Sequence, residues 1–215
     1  RDGRVVVVEP HYSRVNHFSP DGHVEIQWGT HGTNTGQLAF PRAVAMNSRG
    51  ELWLSEYGVL ERVQRFAPDG QSCLAGFGRY GAAPGEFNRP ESLCVDALDR
   101  LFVADSCNHR IQVFADDGHW LASLGQPGSG PGALSYPYDV AVDRAGNLFV
   151  CEFGNSRIQV FDPHHRMREI IGRAGAAPGQ FNNPWGIALD SKGNLYVADA
   201  GNHRIQKLIR RPGTA

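Results

Sequence analysis

The 215-residue sequence has no run of about 18 apolar residues, so it offers no helical membrane span. It also lacks a dominant charge: 21 basic and 22 acidic residues leave a net charge of -1. Such a chain has no broad basic field for nucleic acid and no acidic one for a cationic partner. Cysteine is sparse. Cys73, Cys94, Cys107 and Cys151 form no C-x-x-C pair, which argues against a thiolate zinc site or a disulfide framework. Cys94 and Cys151 fall in expected strands and read as buried free thiols acting as small hydrophobes. Cys107, in a loop, is the one cysteine to watch for reactivity. Helical periodicity is missing, and 26 glycines and 13 prolines punctuate the chain too often for helices. There is no signal peptide, and the first residue is Arg1. A processed or truncated start is expected, which leaves the compartment open.

What the chain has is repetition. Asp199-Ala-Gly-Asn-His-Arg-Ile-Gln206 echoes Asp105-Ser-Cys-Asn-His-Arg-Ile-Gln112 and Glu152-Phe-Gly-Asn-Ser-Arg-Ile-Gln159, with weaker copies from Glu56 and Glu9. Arg14, Arg62, Arg110, Arg157 and Arg204 follow at spacings of 48, 48, 47 and 47. A fixed period of this length marks a repeat architecture. Within it, a residue common to all copies reads as structural, and one that varies is the better functional candidate.

Each copy reads as four short strands, a to d. In the last copy Trp185–Asp190 is an apolar run, Ser191–Asn194 a turn, Leu195–Asp199 an alternating run, and Arg204–Leu208 a third run. Complete copies add a fourth, as at His119–Gly125. Four strands per repeat predict β-propeller blades. A lead-in recurs before strand a: Gly36–Pro41, Gly85–Pro90, Gly132–Pro137 and Gly179–Pro184. Leu38, Phe87, Leu134 and Phe181 are expected to plug the groove between neighbours, each worth about 1.5–3 kcal/mol. The proline fixes φ where its missing N–H does no harm.

These elements, with Asn108-His109-Arg110 and Asn202-His203-Arg204, resemble the NHL repeat family over nearly the whole chain. The resemblance implies an all-β fold, a β-propeller of four-stranded antiparallel blades, commonly six. Its functions include protein and RNA docking, sensing and some enzymes, so it points to fold more than to function. One domain over 1–215 is expected: a partial blade at 1–33, blades at 34–80, 81–127 and 128–174, and a partial blade at 175–210. Four to five blades are visible, with about 18 strands where a six-bladed ring needs about 24. A truncated ring is preferred over a five-bladed one. Open edges would then associate with missing strands or another chain.

The recurrent acid–arginine pairs are Glu9/Arg14, Glu56/Arg62, Asp105/Arg110, Glu152/Arg157 and Asp199/Arg204. Each acid ends strand b and each arginine opens strand c, so a hairpin brings them face to face. Recurrence marks them as structural ion pairs, not catalytic carboxylates. His109 and His203 share that reading, and His11, His17, His23 and His31 show no spacing that supports a metal.

The residues that vary follow the repeat proline: Arg42, Glu91, Tyr138-Asp139 and Trp185. Tyr57, Ser106, Phe153 and Ala200, just past strand b, are expected on the same face. A ligand or partner surface at a channel mouth is predicted. Arg42 would meet anionic groups, Glu91 and Asp139 cationic ones, and Tyr57, Tyr138, Phe153 and Trp185 would serve as aromatic anchors. The preferred role is non-enzymatic: a scaffold or sensor for a protein, peptide or small ligand, with no cofactor. The alternative is a metal-dependent propeller lyase or lactonase-like hydrolase, with Zn or Ca at Glu91 and Asp139. The stretch Ser13–Gly29 and the lead-in after it resemble peptidylamidoglycolate lyases, which place a zinc-binding His after the repeat proline. Here Arg42, Glu91, Tyr138 and Trp185 stand there instead, which argues against that activity. A second alternative is an RNA-binding NHL module using Arg42, Arg79, Arg89 and Arg173, but Glu86 and Glu91 interrupt that set, so no nucleic acid is expected. The resemblance to bacterial extracytoplasmic NHL proteins implies a periplasmic or cell-surface location.

Overall fold

The computed structural model describes residues 3–209. The expected boundaries at 1, 210 and 215 lie outside the described residues. Eighteen strands are present among those described. β1 (Val5–Glu9), β2 (Arg14–Phe18) and β3 (Val24–Trp28) form the first sheet. β4 (Pro41–Met46), β5 (Leu52–Glu56), β6 (Arg62–Phe66) and β7 (Cys73–Phe77) form the second. β8 (Pro90–Val95), β9 (Leu101–Asp105), β10 (Arg110–Phe114) and β11 (Trp120–Leu124) form the third. β12 (Pro137–Val142), β13 (Leu148–Glu152), β14 (Arg157–Phe161) and β15 (Met167–Ile171) form the fourth, and β16 (Gly186–Leu189), β17 (Leu195–Asp199) and β18 (Arg204–Leu208) the fifth. The fold class is therefore all-β, made of antiparallel β-propeller blades of four strands or three.

The chain divides into two compact units: residues 1–105 with 112–122, and residues 106–111 with 123–215. In the first, Trp53, Val63, Phe87, Leu93, Leu101, Val103 and Phe114 form one buried cluster. Val15, Trp28, Leu38, Leu52, Leu54 and Phe66 form another. In the second, Phe149, Ile158, Val160, Phe181, Leu195 and Val197 are buried together. β5, β9 and β13 are buried at every residue, because a strand b has a paired strand on each side and neighbours over both faces.

The lead-in plugs are all fully buried. Each is held by a parallel bridge to a residue seven positions earlier: His31 with Leu38, Tyr80 with Phe87, Pro127 with Leu134 and Ala174 with Phe181. The glycine closing strand d makes room for the plug. Gly78 has φ +102, and a Cβ there would stand 2.6 Å from the Phe87 ring; at Gly172 it would stand 2.2 Å from Phe181. Only glycine meets both conditions.

None of the four cysteines is in a disulfide; Cys151 is buried and Cys73, Cys94 and Cys107 are half-buried. Cys94 is thus less enclosed than expected, because β8 leaves its alternate residues only partly covered. Burial pushes the Cys151 thiol well above its usual range, with the Asp139 and Glu152 charges adding to the effect.

The residue before the repeat proline departs from simple expectation. A pre-proline residue favours extended backbone, yet Phe40, Arg89, Tyr136 and Asn183 have φ of 54, 63, 46 and 48. In three of the four, a side chain from the preceding repeat captures the N–H. Glu61 Oε2 accepts from Arg89 at 2.8 Å, His109 Nδ1 from Tyr136 at 3.1 Å, and Ser156 Oγ from Asn183 at 3.2 Å. Glu, His and Ser are unlike in chemistry, but each presents an acceptor at one place. His109→Ala is therefore expected to cost about 1 kcal/mol, the net worth of a hydrogen bond. His109→Ser should recover most of that, as Ser156 does natively. Equal destabilisation of both variants in urea unfolding would remove this role from His109.

Candidate functional site

The acid–arginine pairs are structural where the hairpins show them. Glu9 pairs in register with Arg14, Glu56 with Arg62, Glu152 with Arg157 and Asp199 with Arg204. Arg62 Nε reaches Glu56 at 2.7 Å, Arg157 reaches Glu152 at 2.6 Å and Arg204 reaches Asp199 at 2.8 Å, all onto fully buried acids; Arg14 bonds Glu9 nearer the surface. Asp105 is also fully buried and accepts from the Asn88 N–H at 2.7 Å and Gln112 at 3.1 Å. Burial raises the Glu56 carboxyl above its usual range despite Arg62. At Asp199 burial acts the same way, but donors from Asn182, Asn202, Arg204 and Gln206 outweigh it and hold the carboxyl down.

The strand c glutamine is part of this machinery, and its role was not anticipated from the sequence. Gln64, Gln112, Gln159 and Gln206 each accept from the lead-in glycine N–H, at 2.8, 2.9, 2.8 and 2.9 Å. Each also donates to a lead-in carbonyl and to the acid of its own hairpin. One amide thus ties the plug loop to the ion pair. The signal was its recurrence two residues after Arg62, Arg110, Arg157 and Arg204, where Asn16 follows Arg14.

The variable residues occupy a special backbone position. Pairing slips between Pro41 and Ala43, between Pro90 and Ser92, and between Pro137 and Asp139. Arg42, Glu91 and Tyr138 are the residues skipped. Each sits on a β-bulge, which re-aims a side chain out of the ladder. The proline lies at the first strand residue, where its missing N–H breaks no bond. Trp185 stands just before β16, with its N–H on the Ala198 carbonyl at 2.9 Å.

In the first unit the bulge residues meet each other. Arg42 donates to Glu91 Oε1 from Nε at 2.8 Å and from Nη2 at 2.5 Å, and Arg89 Nε donates to Glu91 Oε2 at 2.8 Å. The Glu91 side chain is only 2% exposed. It is therefore a counter-ion between two guanidiniums and has little capacity left for a cationic ligand. The Arg89 guanidinium lies 5.3 Å over the Tyr57 ring. Arg42 and Tyr57 also line a hollow of about 380 Å³ with Pro10, His11, Phe40, Gly58 and Val59.

In the second unit Tyr138 stacks on Phe153, with centroids 4.4 Å apart and planes at 17°, and meets Trp185 edge-on at 6.3 Å. Trp185 is 56% exposed. Asp139 Oδ2 accepts the Ile187 N–H at 2.7 Å and Oδ1 the Val140 N–H at 2.9 Å. Asp139 thus fastens β12 to β16, and its oxygens are engaged by backbone. Ser106, expected on the ligand face, is fully buried in the turn after β9.

The N-terminal histidines separate. His17 Nε2 accepts from the Trp28 indole at 3.0 Å, and burial holds its pKa below the usual imidazole value. His31 Nδ1 lies 3.0 Å from Ser13 Oγ, His23 sits beside Asp21, and His11 packs edge-on against Phe40 at 6.5 Å. Among the described residues, no three His, Cys, Asp or Glu side chains form a set that could hold a metal ion.

Residues 87–114, 134–161 and 181–208 match the family model described as NHL repeat. NHL repeat-containing protein 3 of Mus musculus is 35% identical over 98 residues, covering 43% of this chain and 28% of that protein. Protein lin-41 of Caenorhabditis elegans is 44% identical over 45 residues, covering 21% of this chain and 4% of that protein. The matches thus span 28% or less of these relatives. Among solved structures, a chain of a nidogen/laminin complex superposes with a TM-score of 0.73 at 18% identity, over 95% of this chain and 73% of that one. Virginiamycin B lyase from Staphylococcus aureus superposes with a TM-score of 0.67 at 15% identity, over 98% of this chain and 68% of that one. At these identities the likeness is one of fold.

Proposed function

We propose that this NHL-repeat β-propeller is a binding module: a non-enzymatic scaffold or sensor that takes a protein, peptide or small ligand on the blade ends where strand a begins. The observation that carries this reading is the set of bulges after the repeat prolines. They turn chemically different side chains out of otherwise uniform blades, leading up to an exposed Trp185 beside the Tyr138–Phe153 stack. A uniform structural role needs no such variety. Rigid aromatic surface is also the usual anchor of an interface, because it buries much area for little lost side-chain freedom. Glu91 and Asp139 act here by positioning their neighbours; Arg42 and Tyr57 supply contacts in the first unit, and Tyr138, Phe153 and Trp185 supply contacts in the second. The β18 edge, paired only with β17 among the described residues and with Ile205 68% exposed, is a further place for a strand to add.

The test is selection of a random displayed peptide library on the wild-type protein, followed by titration of the selected peptides. Trp185→Ala should weaken binding by roughly tenfold or more, about 1.4 kcal/mol, with an unchanged melting temperature because the side chain is exposed. Tyr138→Ala should act in the same direction. Peptides that bind both variants as tightly as wild type would exclude this end of the blades.

A further inference from the structure

The hollow of the first unit has a more specific chemistry than a general contact surface. Its walls are Pro10, Phe40, Tyr57 and Val59, with Gly58 at the base of the turn. Phe40 and Val59 are exposed although they are apolar. Three polar groups line the same space and keep donors unused among the described residues. Arg42 places Nε and Nη2 on Glu91, and its Nη1 has no partner among the described residues. The Tyr57 hydroxyl and the His11 ring nitrogens likewise take no hydrogen bond from the described residues; His11 meets Phe40 only ring to ring. All three can donate a hydrogen bond, and guanidinium offers its donors in a planar fork that suits a carboxylate.

Charge points the same way. Among the described lining residues Arg42 alone carries a fixed charge, and that charge is positive. Glu91 sits behind it, buried and shared with Arg89, so it orients the Arg42 fork. Glu61, the other nearby carboxylate, is not in the lining and accepts the Gly58 and Arg89 backbone N–H groups. The size, about 380 Å³, falls in the range of small-molecule sites, which are mostly apolar with a few convergent polar groups.

We infer that this hollow binds a small aromatic carboxylate, its ring against Phe40, Tyr57 and Val59 and its carboxylate on Arg42 Nη1 with Tyr57 and His11 as further donors. The inference rests on the proposed binding role and names a ligand class for one part of that surface.

The experiment titrates the full chain with phenylacetate and indole-3-acetate, and with the neutral amides of both, following ligand saturation transfer and protein 1H–15N shifts. The acids should bind, and the amides at least tenfold more weakly. Arg42→Met should cost the acids tenfold or more and leave the amides unchanged. Arg89 remains on Glu91 in that variant, so its fold should hold. Val59→Glu, a change at an exposed rim position, should repel the acids in the same way without touching the ion pair. Acid and amide binding equally, with loss in Tyr57→Ala, would overturn the carboxylate class while leaving a binding surface. If neither class binds while displayed peptides are still selected through Trp185, the hollow is not a ligand site and the broader reading stands. Failure of both experiments would overturn both.

Discussion

Arg157→Ala is expected to lower the unfolding free energy by about 3–5 kcal/mol, the cost of leaving one partner of a buried ion pair behind. The Arg157 and Glu152 side chains are 10% and 0% exposed. Arg157 also donates from Nη1 to the Ser129 carbonyl at 2.6 Å, and from Nη2 to the Gly130 and Ala133 carbonyls at 3.0 Å each. One side chain therefore neutralises a buried acid and satisfies three carbonyls, two just before the lead-in and one within it. Glu152 keeps donors from Gln159, Asn155 and the Ser135 N–H, so it stays hydrogen-bonded but loses its counter-charge. Arg157→Lys should be nearly as damaging, because one ammonium cannot span four acceptors in the plane of a fork. Urea unfolding at neutral pH reads both variants. A loss below about 1 kcal/mol, the scale of surface pairs, would mean that water reaches Glu152.

Phe87→Ala is expected to cost a similar amount, about 3–5 kcal/mol, by transfer and cavity together. Its ring is fully buried, 6.1 Å from the Phe77 centroid and 5.8 Å from that of Phe114. Gly78 offers no atoms to collapse into the gap. Phe87→Leu should cost far less, because Leu38 and Leu134 already fill the same position in two repeats. If alanine and leucine destabilise equally, the loop depends on ring shape and not on filled volume, and the plug account fails.

Much of the fold could be read from spacing alone. Positions that recur, such as the arginine, the acid and the plug, each satisfy one local need that every blade shares, so period and chemistry pointed the same way. The site was less legible. Arg42 and Glu91 were read as separate contacts for opposite ligand charges, but they lie in neighbouring sheets that bring them onto each other. That pairing crosses 49 positions and depends on bulge geometry, which alternation patterns do not carry. Asp139 looked like a ligand for cations for the same reason; its backbone partners appear only once β16 is in place. The hollow was missed because Pro10, His11 and Phe40 stand at repeat positions whose side chains differ from copy to copy. The glutamine was visible in four of the five copies, with Asn16 in the first, but an amide with no charge gave no reason to single it out.

The side-chain acceptors that hold the pre-proline N–H groups bear on how such a chain arises. Glu61, His109 and Ser156 each serve a group 28, 27 and 27 positions ahead, so the bond always joins one repeat to the next. Any of the three acceptors fits any of the three N–H groups, since the donor is a backbone N–H in each case. A gene that gains or loses one whole repeat by unequal crossing-over at one of these three junctions therefore produces a junction that is already complete. These three joints share one backbone donor while the bulge residues are free to differ, which lets blade number change by recombination and blade-end chemistry change by point substitution.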